Sequence, residues 1–159
     1  MSQPNVSVIG AGKCDAGETG RALYKEAMEL GSLLAGAGYT VVCGGLGGVM
    51  EAVCRGAKEA GGHTIGILPF LDRAQANPYV QTAVATGLGQ MRNMLVVANG
   101  DIVVAVGGGY GTLSEVALAK KSGKEVIAIG SMAGVEGVVW ADDARHACSL
   151  VKKYFDRKK

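Results

Sequence analysis

The sequence predicts an α/β fold with a doubly wound parallel sheet, a modified Rossmann-like arrangement of three layers. Short apolar runs alternate with segments whose apolar residues recur at helical spacing, and several of the runs end in glycine. Aromatic residues make up only 5% of the 159 residues, so the core must be built from Val, Ala, Ile and Leu, as in parallel sheets covered by helices. The 48% hydrophobic content suits one domain over residues 1–159.

The first two strands and helices repeat one pattern. Residues 6–9 form an apolar run that Gly10 and Gly12 follow. Residues 40–43 form a second run, which leads into the glycine-rich segment 44–48. Each run predicts a buried strand that ends in a turn able to approach a ligand closely. The helix after each turn has an apolar face, formed first by Leu23, Ala27, Leu30 and Leu34 and then by Val49, Met50, Val53, Cys54 and Ala57.

The middle of the chain predicts a third strand, an irregular segment and a helix. Residues 64–68 form the strand, which ends at Pro69. Residues 70–78 are irregular, as in an active-site loop or an ordinary surface loop. Residues 79–86 predict a short strand. The helix that begins at Gly87 is expected to bury the side that carries Met91, Met94, Leu95 and Ala98.

The last third of the chain continues the alternation of strands and helices. Residues 101–106 predict the central strand, and residues 125–129 predict the next one. Between them the spacing predicts a helix from about residue 112 to residue 122. Residues 138–140 are expected to add a short edge strand. The final helix is expected to begin at a capping aspartate, Asp142 or Asp143.

Glycines at the ends of three strands predict a phosphate site. Ligands of doubly wound sheets bind beyond the carboxyl ends of the strands, where free N–H groups and the dipole of a following helix favour an anion. A shift of 64 positions superimposes two of the loops, Gly44, Gly45, Gly47 and Glu51 on Gly108, Gly109, Gly111 and Glu115. We expect both loops to face one crevice. The residues expected to bind the ligand are Gly10, Gly12, Gly44, Gly45, Gly47, Gly108, Gly109, Gly111 and Thr112.

Arg92 and Glu115 are the side chains best placed to act on such a ligand. Arg92 lies near the start of a helix, where the dipole disfavours a cation and an anionic partner would offset that cost. The alternative for Arg92 is a surface salt bridge. Two interpretations of Glu115 stay open. It can act on the ligand, or it can close a capping box with Thr112 and serve only the helix.

The sequence argues against several other classes of function. The glycine loops match neither the P-loop nor the dinucleotide-binding pattern. The net charge is only +2, and most of the basic excess lies in the C-terminal tail, so we do not expect a nucleic-acid partner. We expect neither a signal peptide nor a membrane span. The four cysteines, Cys14, Cys43, Cys54 and Cys148, are scattered along the chain, so we expect no metal site. We expect these cysteines to be free thiols and the protein to be cytoplasmic.

The segment of residues 108–115 carries a family resemblance. Its sequence, Gly-Gly-Tyr-Gly-Thr-Leu-Ser-Glu, resembles the P-G-G-x-G-T-x-x-E signature of the Lonely Guy (LOG) family, long mislabelled as lysine decarboxylases. Gly107 stands where that signature has proline. Arg92 lies 23 positions before Glu115, at the family spacing for the arginine of an Arg-Lys pair, and Asn93 replaces the lysine.

The resemblance covers residues 6 to about 130 and implies a function. LOG enzymes hydrolyse the N-glycosidic bond of cytokinin nucleoside 5'-monophosphates, so the resemblance implies a phosphoribohydrolase and not a lysine decarboxylase. It implies that Arg92 and Glu115 form the catalytic pair. The phosphate would be held by Gly108, Gly109, Gly111 and Thr112. Shorter relatives of this length are similar to molybdenum cofactor carrier proteins, in which the same loops are thought to hold a phosphorylated pterin without turnover.

Whether the protein is an enzyme therefore stays open. The first expectation is a LOG-like nucleoside 5'-monophosphate phosphoribohydrolase. The alternative is a non-catalytic carrier or sensor of a phosphorylated cofactor such as the molybdenum cofactor. DNA-processing proteins share the superfamily fold and give a third, nucleic-acid-binding hypothesis. No cofactor is required; a nucleotide or a phosphorylated pterin is the expected bound molecule. The resemblance also implies a homo-oligomer, a dimer or larger, for which the methionines after Gly87 offer an interface.

Overall fold

The computed structural model describes residues 2–159, which form one parallel sheet flanked by helices. The strands are β1 (Asn5–Gly10), β2 (Thr40–Cys43), β3 (Thr64–Leu68), β4 (Thr82–Ala85), β5 (Ile102–Val106), β6 (Val126–Ile129) and β7 (Val139–Trp140). The α-helices are α1 (Glu18–Gly36), α2 (Val49–Glu59), α3 (Asn93–Asn99), α4 (Tyr110–Lys121) and α5 (Ala144–Asp156). Short 3-10 helices cover Arg73–Gln75, Gly89–Arg92 and Ser131–Gly134.

The sheet reverses its direction of growth at β1. Its strand order is β4-β3-β2-β1-β5-β6-β7, and all the described strand pairs are parallel. The chain therefore moves outward from β1 to β4, then returns to place β5 beside β1. The two central strands end level with each other, because Gly10 pairs with Val106. This is the switch point at which doubly wound sheets form a ligand crevice.

Helices cover both faces of the sheet. On one face, residues of α1, α2 and α5, such as Leu30, Val53 and Val151, pack against the strands. On the other face, α3 and α4 contribute Val97 and Val116 to a second buried cluster. Because apolar side chains fill both faces, the buried strands read as continuous apolar runs. The predicted three-layer α/β fold is confirmed.

The side of α3 that faces the core differs from the prediction. Met91 is 78% exposed, and Met94, Leu95 and Ala98 are exposed as well. The buried residues of α3 are instead Asn93, Val96 and Val97. The prediction was wrong because this segment is apolar on two sides, so periodicity alone cannot choose between them. The 3-10 turn Gly89–Arg92 before α3 also changes the phase of the pattern.

Other element boundaries differ by a few residues. The strand predicted over residues 79–86 is limited to Thr82–Ala85. Asp143 caps α5, because its carboxylate accepts a 2.8 Å hydrogen bond from the backbone N–H of His146. Asp142 interacts with the His146 ring instead, at 3.1 Å.

Three further observations concern membrane spans, metal ions and cysteines. Over residues 2–159, no helix has both the length and the apolar character needed to cross a membrane. The same residues contain no group of three or more His, Cys, Asp or Glu side chains arranged to hold a metal ion. All four cysteines are free thiols.

Candidate functional site

A cavity of about 290 Å³ opens at the carboxyl ends of the central strands. It lies between the ends of β1 and β2, the start of α3 and the start of α4. Eight of the eleven residues expected at the site line it, namely Gly10, Gly12, Gly44, Arg92, Gly109, Gly111, Thr112 and Glu115. The three strand-end loops thus meet at one crevice.

The remaining three expected residues shape the loops and do not line the cavity. Gly45 has a φ of +76° and packs against Leu68. A Cβ atom on Gly47 would lie 3.3 Å from the carbonyl oxygen of Gly12. Gly108 has a φ of +110°, and a Cβ atom there would lie 2.2 Å from a side-chain atom of Thr112. Gly45 and Gly108 adopt left-handed backbone that a side chain would strain.

The first turn of α4 borders the cavity and leaves backbone N–H groups unpaired. The helix begins at Tyr110, two residues earlier than predicted, and its N-cap Gly109 provides no side-chain hydrogen bond. Within residues 2–159, the N–H groups of Tyr110, Gly111 and Thr112 have no hydrogen-bond partner, and the first bond of the helix runs from Leu113 to Gly109. Such a terminus favours an anion.

The capping box considered for Thr112 and Glu115 is therefore not formed. A capping box needs Thr112 at the N-cap, but the chain turns at Gly108 and places Thr112 within the first helical turn. There its side chain is buried. Glu115 is consequently not engaged in capping the helix.

The glycine loop before α2 has a different role despite its similar sequence. The N–H group of Val49, the first residue of α2, donates a 2.9 Å hydrogen bond to the carbonyl oxygen of Ala11. Glu51, the counterpart of Glu115, accepts a 2.9 Å hydrogen bond from the Tyr24 hydroxyl and does not line the cavity. This loop therefore forms a wall of the site, whereas the loop before α4 offers the open N–H groups.

Arg92 is buried at the base of the cavity with only 6% of its surface exposed. Its Nε atom donates to the carbonyl oxygen of Ile67 at 2.8 Å, and its Nη2 atom donates to that of Gly44 at 3.3 Å. Its Nη1 atom donates to Oδ1 of Asn93. The surface salt bridge considered for Arg92 is not formed. The side chain is instead a fixed positive charge that ties together the ends of β2 and β3.

Glu115 lines the same cavity from α4. Burial raises the pKa of its carboxyl group to about 7, although the positive charge of Arg92 opposes this shift. Within residues 2–159, the carboxyl group accepts no hydrogen bond and lies in no ion pair shorter than 4.0 Å. It therefore exchanges a proton near neutral pH, which is the range in which a carboxyl group can act as acid or base.

Asn93 is a further residue of the site. In the sequence it stood out only because it replaces the lysine of the LOG family. It is 6% exposed, lines the cavity and contacts Arg92. Its position directly after Arg92 was a signal, but only the fold shows that its side chain turns inward. Met50, which the sequence assigned only to the apolar face of α2, and Gln90, which it did not single out, also line the cavity.

The match to a known family extends over almost the whole chain. Residues 3–153 match the family model for the SLOG cluster4 family. The chain belongs to the SLOG cluster4 family. This SLOG cluster4 protein superimposes on the molybdenum cofactor binding protein of Rippkaea orientalis with a TM-score of 0.89 and 38% identity, over 98% of this chain and 99% of the other. The molybdenum cofactor carrier protein of Chlamydomonas reinhardtii gives a TM-score of 0.85 and 35% identity, with 98% and 99% covered.

A LOG-type enzyme is also similar to this SLOG cluster4 protein, over a shorter region. The cytokinin riboside 5'-monophosphate phosphoribohydrolase of Mycobacterium tuberculosis is 34% identical over 106 residues. The match covers 64% of this chain and 56% of that enzyme. Both resemblances seen in the sequence, to LOG enzymes and to molybdenum cofactor carriers, are confirmed. The molybdenum cofactor binding protein and the molybdenum cofactor carrier protein match over the larger share of the chain.

Proposed function

We propose that this SLOG cluster4 protein holds a phosphorylated pterin such as the molybdenum cofactor, as a carrier. The observation that carries the proposal is the open first turn of α4. Its free N–H groups belong to Tyr110, Gly111 and Thr112, of which Gly111 and Thr112 line the cavity. A phosphate monoester placed there would accept hydrogen bonds from the backbone and gain from the helix dipole. The fixed charge of Arg92 adds a long-range attraction for the same anion.

The space around this turn favours a ligand larger than a bare phosphate. The cavity continues past Gln90, Asn93 and Gly111 into a more apolar groove of about 620 Å³. Met91 and Tyr110 form part of that groove. A phosphate held by α4 would leave the ring system to lie in the cavity and the groove, where apolar walls remove it from water.

The chemistry of the polar groups favours binding of a ligand without its hydrolysis. The guanidinium of Arg92 already donates to two backbone carbonyl oxygens and to Asn93, so few of its N–H groups remain for a substrate. Asn93 supplies no charge where the LOG enzymes have a lysine. The molybdenum cofactor binding protein and the carrier protein also match this chain over nearly their whole length.

Hydrolysis of a nucleoside 5'-monophosphate is the second candidate function. Glu115 is the observation that favours it, because its carboxyl group lies in the cavity that holds the phosphate site and has a pKa of about 7. As a carboxylate it would stabilise the positive charge that develops on the ribose, or accept a proton from the attacking water. The same residue would contact a bound pterin without reacting.

One experiment separates the two functions. The purified protein is incubated with neopterin monophosphate and with a panel of nucleoside 5'-monophosphates, and both the melting temperature and free base are measured. The carrier proposal expects a higher melting temperature with the pterin, and intact ligand on recovery. Base release that disappears in Glu115→Gln would support the hydrolase instead. No thermal shift with the pterin, and no pterin or molybdenum bound to protein purified from cells, would overturn the carrier proposal.

We also propose that two copies of the chain associate through α3 and α4. The α3–α4 apolar face consists of Met91, Met94, Leu95, Tyr110 and Leu113, all of them exposed and uncharged. The opposite sides of α3 and α4 already pack on the sheet. A helix that is apolar on two sides is normally buried on both, and exposed apolar patches of this kind mark interaction sites. Because the groove beside the cavity includes Met91 and Tyr110, a second copy would partly cover the ligand.

Sedimentation velocity tests this association. Leu95→Glu should convert a dimer into monomers because a charge at a buried apolar contact is costly. Val139→Glu on β7, whose exposure is similar, is the matched control and should stay dimeric. A monomeric wild-type protein at micromolar concentration would overturn the proposal. We place the protein in the cytoplasm, in keeping with its free thiols.

A further inference from the structure

Asn93 has an orientation that its neighbour determines. Its Oδ1 atom accepts a hydrogen bond from Nη1 of Arg92. A guanidinium can only donate, so the amide oxygen must be the atom that faces it. The amide nitrogen Nδ2, which carries two N–H donors, therefore points away from Arg92.

Asn93 lines both the cavity and the apolar groove beside it, and its Nδ2 group has no partner among residues 2–159. Within residues 2–159 it donates no hydrogen bond. Within the same residues, every side-chain nitrogen or oxygen atom that is shielded from solvent has a hydrogen-bond partner. Nδ2 must therefore be reachable from solvent, through the cavity or the groove, although the residue as a whole is only 6% exposed. A donor in such a site gains most when a bound molecule supplies an acceptor.

Glu115 supplies the complementary group in the same cavity. Its two carboxyl oxygens accept no hydrogen bond from residues 2–159. When ionised, a carboxylate only accepts, and it can take two donors at once. The cavity thus presents one amide donor and two free acceptor oxygens to whatever ring enters it.

We propose that Asn93 and Glu115 read the 2-amino-4-oxo edge of a pterin ring, or the matching edge of guanine. The ring carbonyl would accept a hydrogen bond from Nδ2 of Asn93. The ring N–H and the amino group beside it would donate to the two oxygens of Glu115. This inference rests on the proposed function, since it requires a phosphorylated heterocycle in the site. Adenine has no ring carbonyl and offers Glu115 a single amino group, so it matches the pair less well.

Calorimetric titration with matched ligands tests this assignment. The probes are neopterin monophosphate, guanosine 5'-monophosphate, ribose 5-phosphate and 6-thioguanosine 5'-monophosphate, in which a weakly accepting sulfur replaces the carbonyl oxygen while the ring N–H and the amino group stay. The wild type should bind guanosine 5'-monophosphate about tenfold more tightly than the 6-thio analogue, as expected when the acceptor of one buried hydrogen bond is removed.

Two variants of Asn93 separate reading of the ring from support of Arg92. Asn93→Asp keeps an acceptor for Arg92 but loses the N–H donors, so it should abolish the preference for the carbonyl oxygen of the ring. Asn93→Leu removes both groups at similar size. Melting curves of both variants establish that they fold. If Asn93→Asp retains the tenfold preference, or if both variants weaken all probes equally with ribose 5-phosphate included, Asn93 acts only through Arg92 and the inference is wrong.

The outcomes also distinguish this inference from the proposed function. If the phosphorylated probes bind without any preference for the carbonyl oxygen of the ring, the phosphate site stands. The proposed recognition of the ring edge by Asn93 and Glu115 is then overturned. If neither the pterin nor any nucleotide binds, the proposed function fails, and the inference fails with it.

Discussion

The Nε atom of Arg92 donates a 2.8 Å hydrogen bond to the carbonyl oxygen of Ile67, near the end of β3. A second bond, from Nη2 to Gly44, reaches the loop after β2. One side chain thus joins two strand ends to the start of α3. A planar guanidinium can satisfy both carbonyl groups at once because its donors are fixed in a fork.

Arg92→Lys should therefore lower the free energy of unfolding by about 2–3 kcal/mol, because a single ammonium group leaves one buried carbonyl group unsatisfied. Urea denaturation followed by circular dichroism measures the change. Arg55→Lys is the control, since Arg55 is exposed and pairs with Glu59 on the surface of α2, and it should alter stability little. An Arg92→Lys protein as stable as the wild type would contradict the structural role given to this side chain.

Glu115 should make stability depend on pH between about 4.5 and 7. Burial raises the pKa of its carboxyl group from an ordinary value of 4.5 to about 7 in the folded protein. The neutral form therefore favours the folded state, and this contribution is lost as the pH rises from about 4.5 through 7. Glu115→Gln stays neutral, so its stability relative to the wild type should grow by up to about 3 kcal/mol over this interval.

Paired unfolding curves of the wild type and Glu115→Gln, recorded from pH 4 to pH 8, measure this difference. Carbon-13 NMR of the Glu115 carboxyl group gives its titration midpoint directly. A midpoint below 5, or a stability difference that does not vary with pH, would show that the carboxyl group is better solvated than the structure indicates.

Gly108 and Gly109 should respond differently to the same substitution. Gly108→Ala places a Cβ atom on a left-handed backbone and 2.2 Å from the Thr112 side chain, and it should cost about 2 kcal/mol or more. Gly109 has a φ of −120°, and nothing lies within 4 Å of a Cβ atom built there. Gly109→Ala should fold normally and bind phosphate esters more weakly, because its methyl group borders the cavity.

Thermal melting and calorimetric titration of the two alanine variants check this pair. Equal loss of stability in both would mean that the loop tolerates no side chain at either position. Undiminished ligand affinity in Gly109→Ala would mean that the phosphate does not lie against this part of the loop.

Gly107→Pro should destabilise the protein and not restore a LOG-like loop. Gly107 has a φ of +57°, whereas proline requires about −65°. Its N–H group also donates a 2.9 Å hydrogen bond to the carbonyl oxygen of Ile129, a bond that proline cannot make. We expect a clear fall in melting temperature and no gain in nucleotide hydrolysis. A stable Gly107→Pro variant would require a different path for the loop.

The fold was largely predictable because its signals are local. The strands β1, β2, β3, β5 and β6 were placed to within one or two residues, since a strand buried on both faces reads as an unbroken apolar run. The side of α3 that faces the core was not predictable. Both Met94 and Val97 suit a buried face, and only the packed sheet decides that the valine is inside.

The site was predictable in its location but not in its details. Glycines at strand ends identified the crevice, because parallel strands bring their carboxyl ends to one edge. The start of α4 depended on the positive φ of Gly108, which no spacing rule gives. The inward position of Asn93 depended on the hydrogen bond from Arg92, a partner that only the folded chain identifies.

The backbone at Gly107 also decides which of two loop forms this segment can adopt. Proline restricts φ to about −65°, whereas glycine adopts both negative and positive φ. A proline at this position would meet a backbone with a φ of +57° and would lose the hydrogen bond to Ile129. The loop seen here and a loop with proline are therefore mutually exclusive, and a single residue is enough to decide between them.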